Sequence, residues 1–201
     1  MKKIILAMVA VLATCTLSAQ EFRWGPTLGL NLANIHFSEQ NSSDCYLGFN
    51  LGFKGELTFT DAQSDGFYAD ARLLYTLKGG SWEGFHENLG YIELPLNAGY
   101  RYAISNDVRL FAGVGPYFAI GMGGSHVVKD SHTKIKTDLY GITYKRFDFG
   151  LNYNVGVEIF DEWQIFLGFE HGLLNSRKSA VDVENFKMHP LNFYIGAAMM
   201  F

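Results

Sequence analysis

The sequence predicts an all-β fold, namely an eight-stranded antiparallel up-and-down transmembrane β-barrel with short periplasmic turns and longer outer loops. Three observations predict it: an export-type segment at the amino terminus, eight stretches in which apolar and polar residues alternate, and connections that are alternately short and long. The chain has 201 residues, which suits one domain once an export signal is removed.

The amino terminus has the composition of a signal peptide. Two lysines after the first methionine precede an apolar run over residues 4–13, and the segment ends on the small residue Ala19. The run is too short to cross a bilayer, whereas a charged start, an apolar middle and a small final residue are typical of a cleaved export signal. We therefore expect a signal peptide over residues 1–19 and a barrel domain over residues 20–201.

The two cysteines leave one alternative open. The stretch ending in Thr14 and Cys15 is similar to a lipobox, which would make Cys15 a lipidated residue, although Thr14 fits that motif poorly. After removal of a signal peptide only Cys45 remains, so the barrel domain cannot form an internal disulfide. Cys45 follows a polar stretch, and we expect an exposed loop residue rather than a catalytic thiol.

Alternation with a period of two recurs along the rest of the chain. It is clearest from Leu47 to Phe59, where apolar residues hold every second position without a change of phase. Strands in globular proteins usually have about 5–6 residues, whereas a tilted membrane strand needs about 9–11. The eight predicted strands cover residues 22–34, 47–59, 67–78, 90–103, 108–121, 146–159, 163–173 and 189–201.

The connections between these segments fall into two kinds. Short links follow the second, fourth and sixth strands, at residues 60–66, 105–107 and 161–162. Longer and more polar links follow the other strands, at residues 38–45, 79–89, 122–145 and 174–188. Strict alternation of short and long links is expected of a membrane barrel, with tight periplasmic turns and longer outer loops.

The polar faces of the strands carry both signs of charge in equal number. In a soluble barrel these faces would meet water outside, but in a membrane barrel lipid covers the apolar faces and the polar faces line the lumen. The export signal, the strand length and the glycines among the charges favour the second arrangement, because eight strands leave little interior space. The charged residues are Lys54, Glu56, Asp70, Arg72, Lys78, Glu93, Arg101, Arg109, Arg146, Asp148, Glu158 and Glu170. We predict that these residues, apart from Lys78 and Arg146, form a lumenal charge network with a structural or gating role.

Three prolines conflict with a regular closed sheet. Pro26, Pro95 and Pro116 fall within predicted strands, yet proline cannot donate to a β-ladder and a closed barrel has no free edge. We expect a local bulge at each of them.

Several stretches together resemble the PorT-like group of outer-membrane β-barrel proteins, often labelled porin-family. The resemblance covers nearly the whole mature chain in order, and its matching stretches are LLYTLKG at 73–79, YIELPL at 91–96, AGVGPYF at 112–118, FDFGLN at 147–152 and HGLLN at 171–175. It implies an eight-stranded barrel in the outer membrane and accommodates Pro95 and Pro116. It implies little about activity. One branch of the group is linked to a protein-secretion apparatus, to which nothing in this chain gives a specific tie.

The last strand ends on an aromatic residue. Phe201 is preceded at alternate positions by Met199, Ile195 and Phe193. This pattern resembles the carboxyl-terminal signal that the barrel-assembly machinery recognises, because an extended strand with an aromatic end can pair by strand addition. We therefore expect the assembly machinery and outer-membrane lipid as partners.

The sequence names no specific activity. It contains no phosphate-binding loop, no paired-cysteine zinc site and no His-Glu-x-x-His, and the net charge of −4 without a basic stripe argues against nucleic acid. We expect no cofactor, no metal and no catalysis, and favour a structural or surface-interaction role for an outer-membrane protein, with a possible surface or secretion-apparatus partner. Two alternatives stay open: a narrow pore for ions or small solutes, and an outer-rim hydrolase that uses Ser125, His126, Asp130, Ser131 and His132.

Overall fold

The computed structural model describes residues 21–37, 45–60, 65–82, 85–128, 134–135, 140, 144–176 and 188–201. These residues form nine antiparallel strands: β1 (Glu21–Phe37), β2 (Tyr46–Thr58), β3 (Gly66–Trp82), β4 (Phe85–Ala103), β5 (Val108–Val128), β6 (Lys134–Ile135), β7 (Phe147–Ile159), β8 (Trp163–Gly172) and β9 (Met188–Met199). The predicted signal peptide and Cys15 lie outside the described residues. In the part of the chain that is described, no helix has the length and apolarity needed to span a membrane.

Eight of the strands close into a barrel. Each long strand pairs with the next, β4 pairs with β5, β5 with β7, and β9 returns to β1. The two-residue β6 is the exception, since it pairs only with β5, at His126 and Val127, beyond the closed ring. The predicted eight-stranded antiparallel barrel is confirmed.

The two ends of the barrel domain meet at the seam of the ring. The Trp24 amide donates to the Phe201 carbonyl at 3.1 Å, and the Phe201 amide donates back to Trp24 at 2.8 Å. The final residue therefore extends the β1–β9 pairing past the end of β9. The short turns after β2, β4 and β7 lie at this same end, which we call the short-turn end.

The alternation of side chains is inverted relative to a soluble barrel. Leucines and aromatic residues point outward, and Leu28 and Phe67 are 66% and 67% exposed. Charged residues of the opposite face are buried within the barrel, where Glu93 is 0% and Arg101 1% exposed. An outward apolar face of this kind suits lipid rather than water, and the polar residues face the lumen as predicted.

Several strands extend beyond the predicted boundaries at the opposite end, which we call the loop end. β3 continues to Trp82 and β4 begins at Phe85, so the predicted loop over residues 79–89 is wrong: most of it is a hairpin. Similarly, β5 runs to Val128 although a loop was predicted from residue 122. Outside the lipid layer no apolar face is required, so these strand ends lose the alternation by which strands are recognised in sequence.

The prolines interrupt the ladders without bulges. Pro26 is paired with Phe53 on β2, while the β1–β9 pairing lapses beside it and resumes in the same register at Trp24. Pro95 and Pro116 likewise lie at lapses of the β3–β4 and β4–β5 ladders, each in unchanged register. The predicted bulge at each proline is therefore wrong. Each proline lacks an amide hydrogen, so its pairing with one neighbouring strand is interrupted. The pairing with the other neighbouring strand continues and keeps the register.

The register shift that does occur lies at the loop end. The β4–β5 pairing slips by one residue between Gly90 and Tyr91, so that Gly90 faces Gly123 and Tyr91 faces Gly121. The extra residue on β5 is Met122, which is exposed.

Candidate functional site: the barrel lumen

The first group of lumenal charges lies toward the short-turn end. Arg23 places its Nη2 atom 2.7 Å from Glu56 Oε1 and 2.7 Å from Glu158 Oε2. Arg101 pairs with the same two carboxylates, contacting Glu56 and lying 3.3 Å from Glu158 Oε2. All four side chains are buried. They form a closed ring of alternating charge that joins four different strands.

Three more side chains join this group. Gln164 Nε2 donates to Glu158 Oε2 at 2.6 Å and to Glu56 Oε2 at 3.1 Å. Lys54 Nζ donates to Gln164 Oε1 at 2.7 Å, and Arg109 Nη1 lies 2.7 Å from Glu158 Oε1. Buried charges stabilise a protein only when their hydrogen bonds are met. Each of these carboxylate oxygens has at least one donor, whereas among the described residues the Nε atoms of Arg23, Arg101 and Arg109 have no acceptor.

The turn between β7 and β8 supplies another acid to this group. Phe160 and Asp161 have φ values of 55° and 62°, as the two central residues of a type I′ hairpin turn require. The Asp161 carboxylate pairs with Arg109, and the Asp161 carbonyl accepts a hydrogen bond from Arg23 Nη1 at 2.7 Å. The turn thus fastens the charge group to the rim of the barrel.

The middle of the lumen is built from amides and aromatic rings. Arg72 Nη2 donates to the Tyr194 hydroxyl at 2.8 Å and to Asn152 Oδ1 at 3.1 Å. The Arg72 guanidinium carbon lies 5.1 Å from the centre of the Tyr194 ring, within the range of a cation–π contact. On the wall that carries Arg72, Asn97 Nδ2 donates to Asp70 Oδ1 at 2.9 Å.

A second ionic group lies toward the loop end. Lys78 Nζ is 2.7 Å from Glu93 Oε2 and 2.7 Å from Glu170 Oε2. Asn192 and Asn152 donate to Glu170 at 2.8 Å and 3.2 Å. One ammonium group therefore serves two buried acids that come from different strands.

Three tyrosines lie around the lumen on the loop-end side of Lys78. The Tyr117 hydroxyl donates to Asp148 Oδ2 at 2.9 Å, and the Tyr144 hydroxyl donates to Glu87 Oε2 at 2.7 Å. The Tyr140 hydroxyl donates to the Gly90 carbonyl at 3.1 Å. Burial, with the neighbouring Glu87 carboxylate, raises the pKa of Tyr144, so this phenol stays a proton donor at physiological pH.

Aromatic rings of the lumen lie opposite glycines. In five cases the glycine is the directly paired residue of the neighbouring strand, and a Cβ added to it would collide with the ring. This leaves room for rings inside a barrel of only eight strands. The pairs are Tyr68–Gly99, Phe111–Gly156, Tyr117–Gly150, Phe166–Gly196 and Tyr194–Gly168.

The structure places all ten residues of the predicted charge network inside the barrel and buried. Five of them lie in the group toward the short-turn end and two, Glu93 and Glu170, in the group toward the loop end, while Asp70 and Arg72 lie between the groups and Asp148 is bonded to Tyr117. Arg146, which also lies on a predicted polar face, is instead exposed at the loop end, where its guanidinium carbon is 5.8 Å from the Tyr140 ring.

Sequence reasoning missed three members of the group at the short-turn end, namely Arg23, Gln164 and Asp161, the last of which was assigned to a turn. Arg23 precedes the outward Trp24 and lies on the same face of β1 as the lumenal Thr27. Following that face back from Thr27 by four residues would have found it. Gln164 carries no charge and was not selected, although it bridges both glutamates.

The candidate hydrolase segment gives no assembled site. The side chain of His126 and the whole of Asp130, Ser131 and His132 lie outside the described residues. The described His171 is on the outer surface against Phe169, with ring centres 6.3 Å apart. Among the described residues, no three His, Cys, Asp or Glu side chains are grouped to hold a metal ion.

Comparison with known families agrees with this architecture. Residues 4–201 match the family described as the outer membrane protein beta-barrel domain. The chain belongs to this family. It is accordingly a protein of the bacterial outer membrane, held in lipid by its apolar outer face.

The chain is similar to several solved structures at low sequence identity. Neisserial surface protein A is 13% identical over 92% of this chain and 100% of its own, with a TM-score of 0.50. Ail, the attachment invasion locus protein of Yersinia pestis, is 15% identical over 90% and 99%, with a TM-score of 0.46. OprG from Pseudomonas aeruginosa is 10% identical over 92% and 96%, with a TM-score of 0.44. No curated protein matches the chain.

Proposed function

We propose that this protein is a non-catalytic structural and surface-interaction barrel whose lumen is closed to solutes. The observation that carries the proposal is the four-residue ring of Arg23, Glu56, Arg101 and Glu158, which is buried and spans the lumen at the short-turn end. A solute would have to separate several buried ion pairs to pass, and each carboxylate removed from its partners would be left uncompensated. The ten-residue charge network thus has a structural role in this proposal.

Planar-bilayer recording tests the closed lumen. The folded barrel, identified by its different gel migration before and after boiling, is expected to insert without discrete conductance steps. The double variant Arg101→Ser, Glu158→Ser removes one charge of each sign from the ring and is expected to show small steps. Discrete steps in the unmodified protein would instead establish the alternative, a narrow pore.

The outer loops are the proposed surface for protein contact. The short turns face the periplasm, and the strands that extend past the barrel at the loop end, β3 to β5, project toward the cell exterior. The stretches at 73–79, 91–96 and 112–118 support membership of the PorT-like group, and with it a surface or secretion-apparatus partner. Cross-linking from the loop end in intact cells, followed by isolation of the barrel, is the direct test.

Export and assembly complete the proposal. A signal peptide over residues 1–19 is cleaved before Gln20, in keeping with the charged start and the short apolar run of this segment. Amino-terminal sequencing of the mature protein tests this, because lipidation would give a chain that begins at Cys15. Phe201, Met199, Ile195 and Phe193 are proposed as the signal for the barrel-assembly machinery.

A further inference from the structure

The seam between the first and the last strand carries two histidines directly opposite each other at the loop end. In the β1–β9 ladder His36 is paired with His189, in a register that runs without a slip from Thr27 onward. Directly opposite residues of an antiparallel pair have their Cβ atoms about 4.5–5.5 Å apart. The side chains of both histidines lie outside the described part of the molecule, and the backbone register is what brings the two positions together.

A third histidine lies on the next strand of the barrel. His171 of β8 is paired with Leu191 of β9, which is two residues from His189. His171 and His189 are therefore diagonal neighbours, a relationship that places two residues about 7–8 Å apart and within reach of long or aromatic side chains. The three histidines are distant in the sequence, and only the closure of the barrel brings β1, β9 and β8 side by side.

The three positions share the outward face of the barrel. On β1 the outward residues alternate as far as Leu32, which is 49% exposed, and His36 is the second position after it on the same face. On β9 the outward Phe193 is 59% exposed, and His189 precedes it by four residues, again on the same face. His171 is itself exposed.

The histidine pair lies beyond the apolar band of the barrel. His36 is twelve residues along β1 from Trp24, which lies at the short-turn end. At about 3.3 Å per residue and a tilt of about 40°, this separation corresponds to about 30 Å along the barrel axis, whereas the apolar band of such barrels is about 25 Å tall. The pair is therefore accessible to ions dissolved in water.

The chemistry of imidazole limits which ions such a cluster can bind. Imidazole nitrogens suit Zn²⁺, Cu²⁺ and Ni²⁺, whereas Mg²⁺ and Ca²⁺ prefer oxygen ligands. Zinc is bound in many proteins by three side chains, with water in the fourth position. One directly opposite pair of histidines with a third as diagonal neighbour supplies such a set of ligands.

We propose that His36, His189 and His171 form a binding site for a late transition-metal ion, with Zn²⁺ as the expected occupant. The bound ion joins β1 to β9 at the loop end, as the backbone bonds between Trp24 and Phe201 do at the short-turn end. It stabilises the folded barrel, because the unfolded chain does not hold the three histidines together. The site is on the outside of the barrel, so it does not depend on whether the lumen conducts.

Isothermal titration tests the site on the mature barrel without an affinity tag, stripped of metal and held in phosphatidylcholine nanodiscs. Zn²⁺ is expected to bind saturably, at one ion per barrel, and a large excess of Mg²⁺ should not displace it. His36→Ala and His189→Ala should each weaken Zn²⁺ binding at least tenfold, and His171→Ala at least threefold. No saturable binding of Zn²⁺ to the folded barrel, or displacement by Mg²⁺, would overturn the proposal.

Two control variants separate this site from other ligands at the loop end. His86→Ala removes a histidine of β4, and Cys45→Ser removes the exposed thiol. Both should leave Zn²⁺ binding unchanged. Loss of binding in either control, or unchanged binding in the folded double variant His36→Ala, His189→Ala, refutes the site.

Stability gives a second measurement of the same site. Zn²⁺ should raise the midpoint of urea unfolding of the unmodified barrel and leave that of His36→Ala unchanged. If an alanine variant does not fold, glutamine at the same position takes its place, because it keeps a polar side chain of similar size. An equal rise in the unmodified barrel and the variant would place the ion elsewhere and contradict the proposal.

Discussion

Glu56 and Glu158 stand on opposite sides of the eight-strand ring, and a single nitrogen of Arg23 lies 2.7 Å from a carboxylate oxygen of each. β2 and β7, which carry the two glutamates, share no ladder, so their connection runs through the lumen. Arg101 and Gln164 repeat the connection with independent contacts. The barrel is therefore braced across its diameter as well as around its circumference.

Removal of one of these charges should destabilise the barrel more than removal of a surface charge. Glu158 serves Arg23, Arg101 and Arg109, so Glu158→Gln leaves three buried arginines with fewer carboxylate partners. We expect a loss of about 3 kcal/mol, the cost of an uncompensated buried charge. The midpoint of urea unfolding in lipid vesicles, followed by gel migration without boiling, measures it.

The control for this prediction is Glu162→Gln, since Glu162 is exposed at the same end of the barrel. Exposed charges contribute little to stability, and a change of less than about 0.5 kcal/mol is expected. If both variants unfold at the same urea concentration, the lumenal ring does not brace the barrel.

The fold could be predicted from the sequence because lipid imposes a simple rule on every membrane strand. Outward positions such as Leu28 and Leu51 must be apolar, and the lumenal positions between them are free to be polar. Eight segments under this rule suffice to define strand number, orientation and the inward set of charges. The rule ends where the strands leave the lipid, which is why the extensions to Trp82 and Val128 were not predicted.

The pairing of the charges could not be predicted in the same way. Glu56 and Lys54, two residues apart on one strand, lie 3.1 Å from each other, but their other partners Arg101 and Gln164 come from different strands. Which charges meet depends on how far neighbouring strands are shifted relative to one another around the ring. The alternation of apolar and polar residues is the same for different shifts, so it does not reveal them.

Because glycines lie opposite aromatic rings in the lumen, replacing such a glycine with alanine should destabilise the barrel. A Cβ at Gly168 would collide with the Tyr194 ring, which cannot move easily because its hydroxyl is bound to Arg72 and Asn152. We expect Gly168→Ala to cost about 1–3 kcal/mol, the range for overpacking. The unfolding assay in vesicles measures it.

Gly123→Ala provides the matched control for this pairing. An added Cβ there would meet no atom within 4 Å, so the stability should change by less than about 0.5 kcal/mol. In the double variant Gly168→Ala, Tyr194→Ala, the collision is absent, and the two losses should be less than additive. Strict additivity would show that the ring and the glycine do not interact.

Orientation in the membrane can be read from Cys45. It is exposed at the loop end, just before β2, and it is the single cysteine of the barrel domain. A membrane-impermeant maleimide should therefore label it in intact cells. A second variant, Cys45→Ser with Ser105→Cys, moves the thiol to an exposed position in the short turn after β4 and should be labelled only after lysis. Labelling of the second variant in intact cells would reverse the assignment of the two ends.

The ring of Phe201 is predicted to matter for assembly in cells but not for the stability of the folded barrel. Phe201 closes the seam through its backbone bonds to Trp24, and its ring is 62% exposed on the lipid side. Phe201→Ala keeps those backbone bonds, so refolding of the purified protein into detergent should be nearly unchanged. If the assembly machinery reads the ring, the heat-modifiable fraction in cells should fall several-fold. Phe67→Ala, which removes a similarly exposed ring near the same end of β3, is the control and should assemble normally. Equal loss in both variants would mean that Phe201 acts only as one of the rings in contact with lipid.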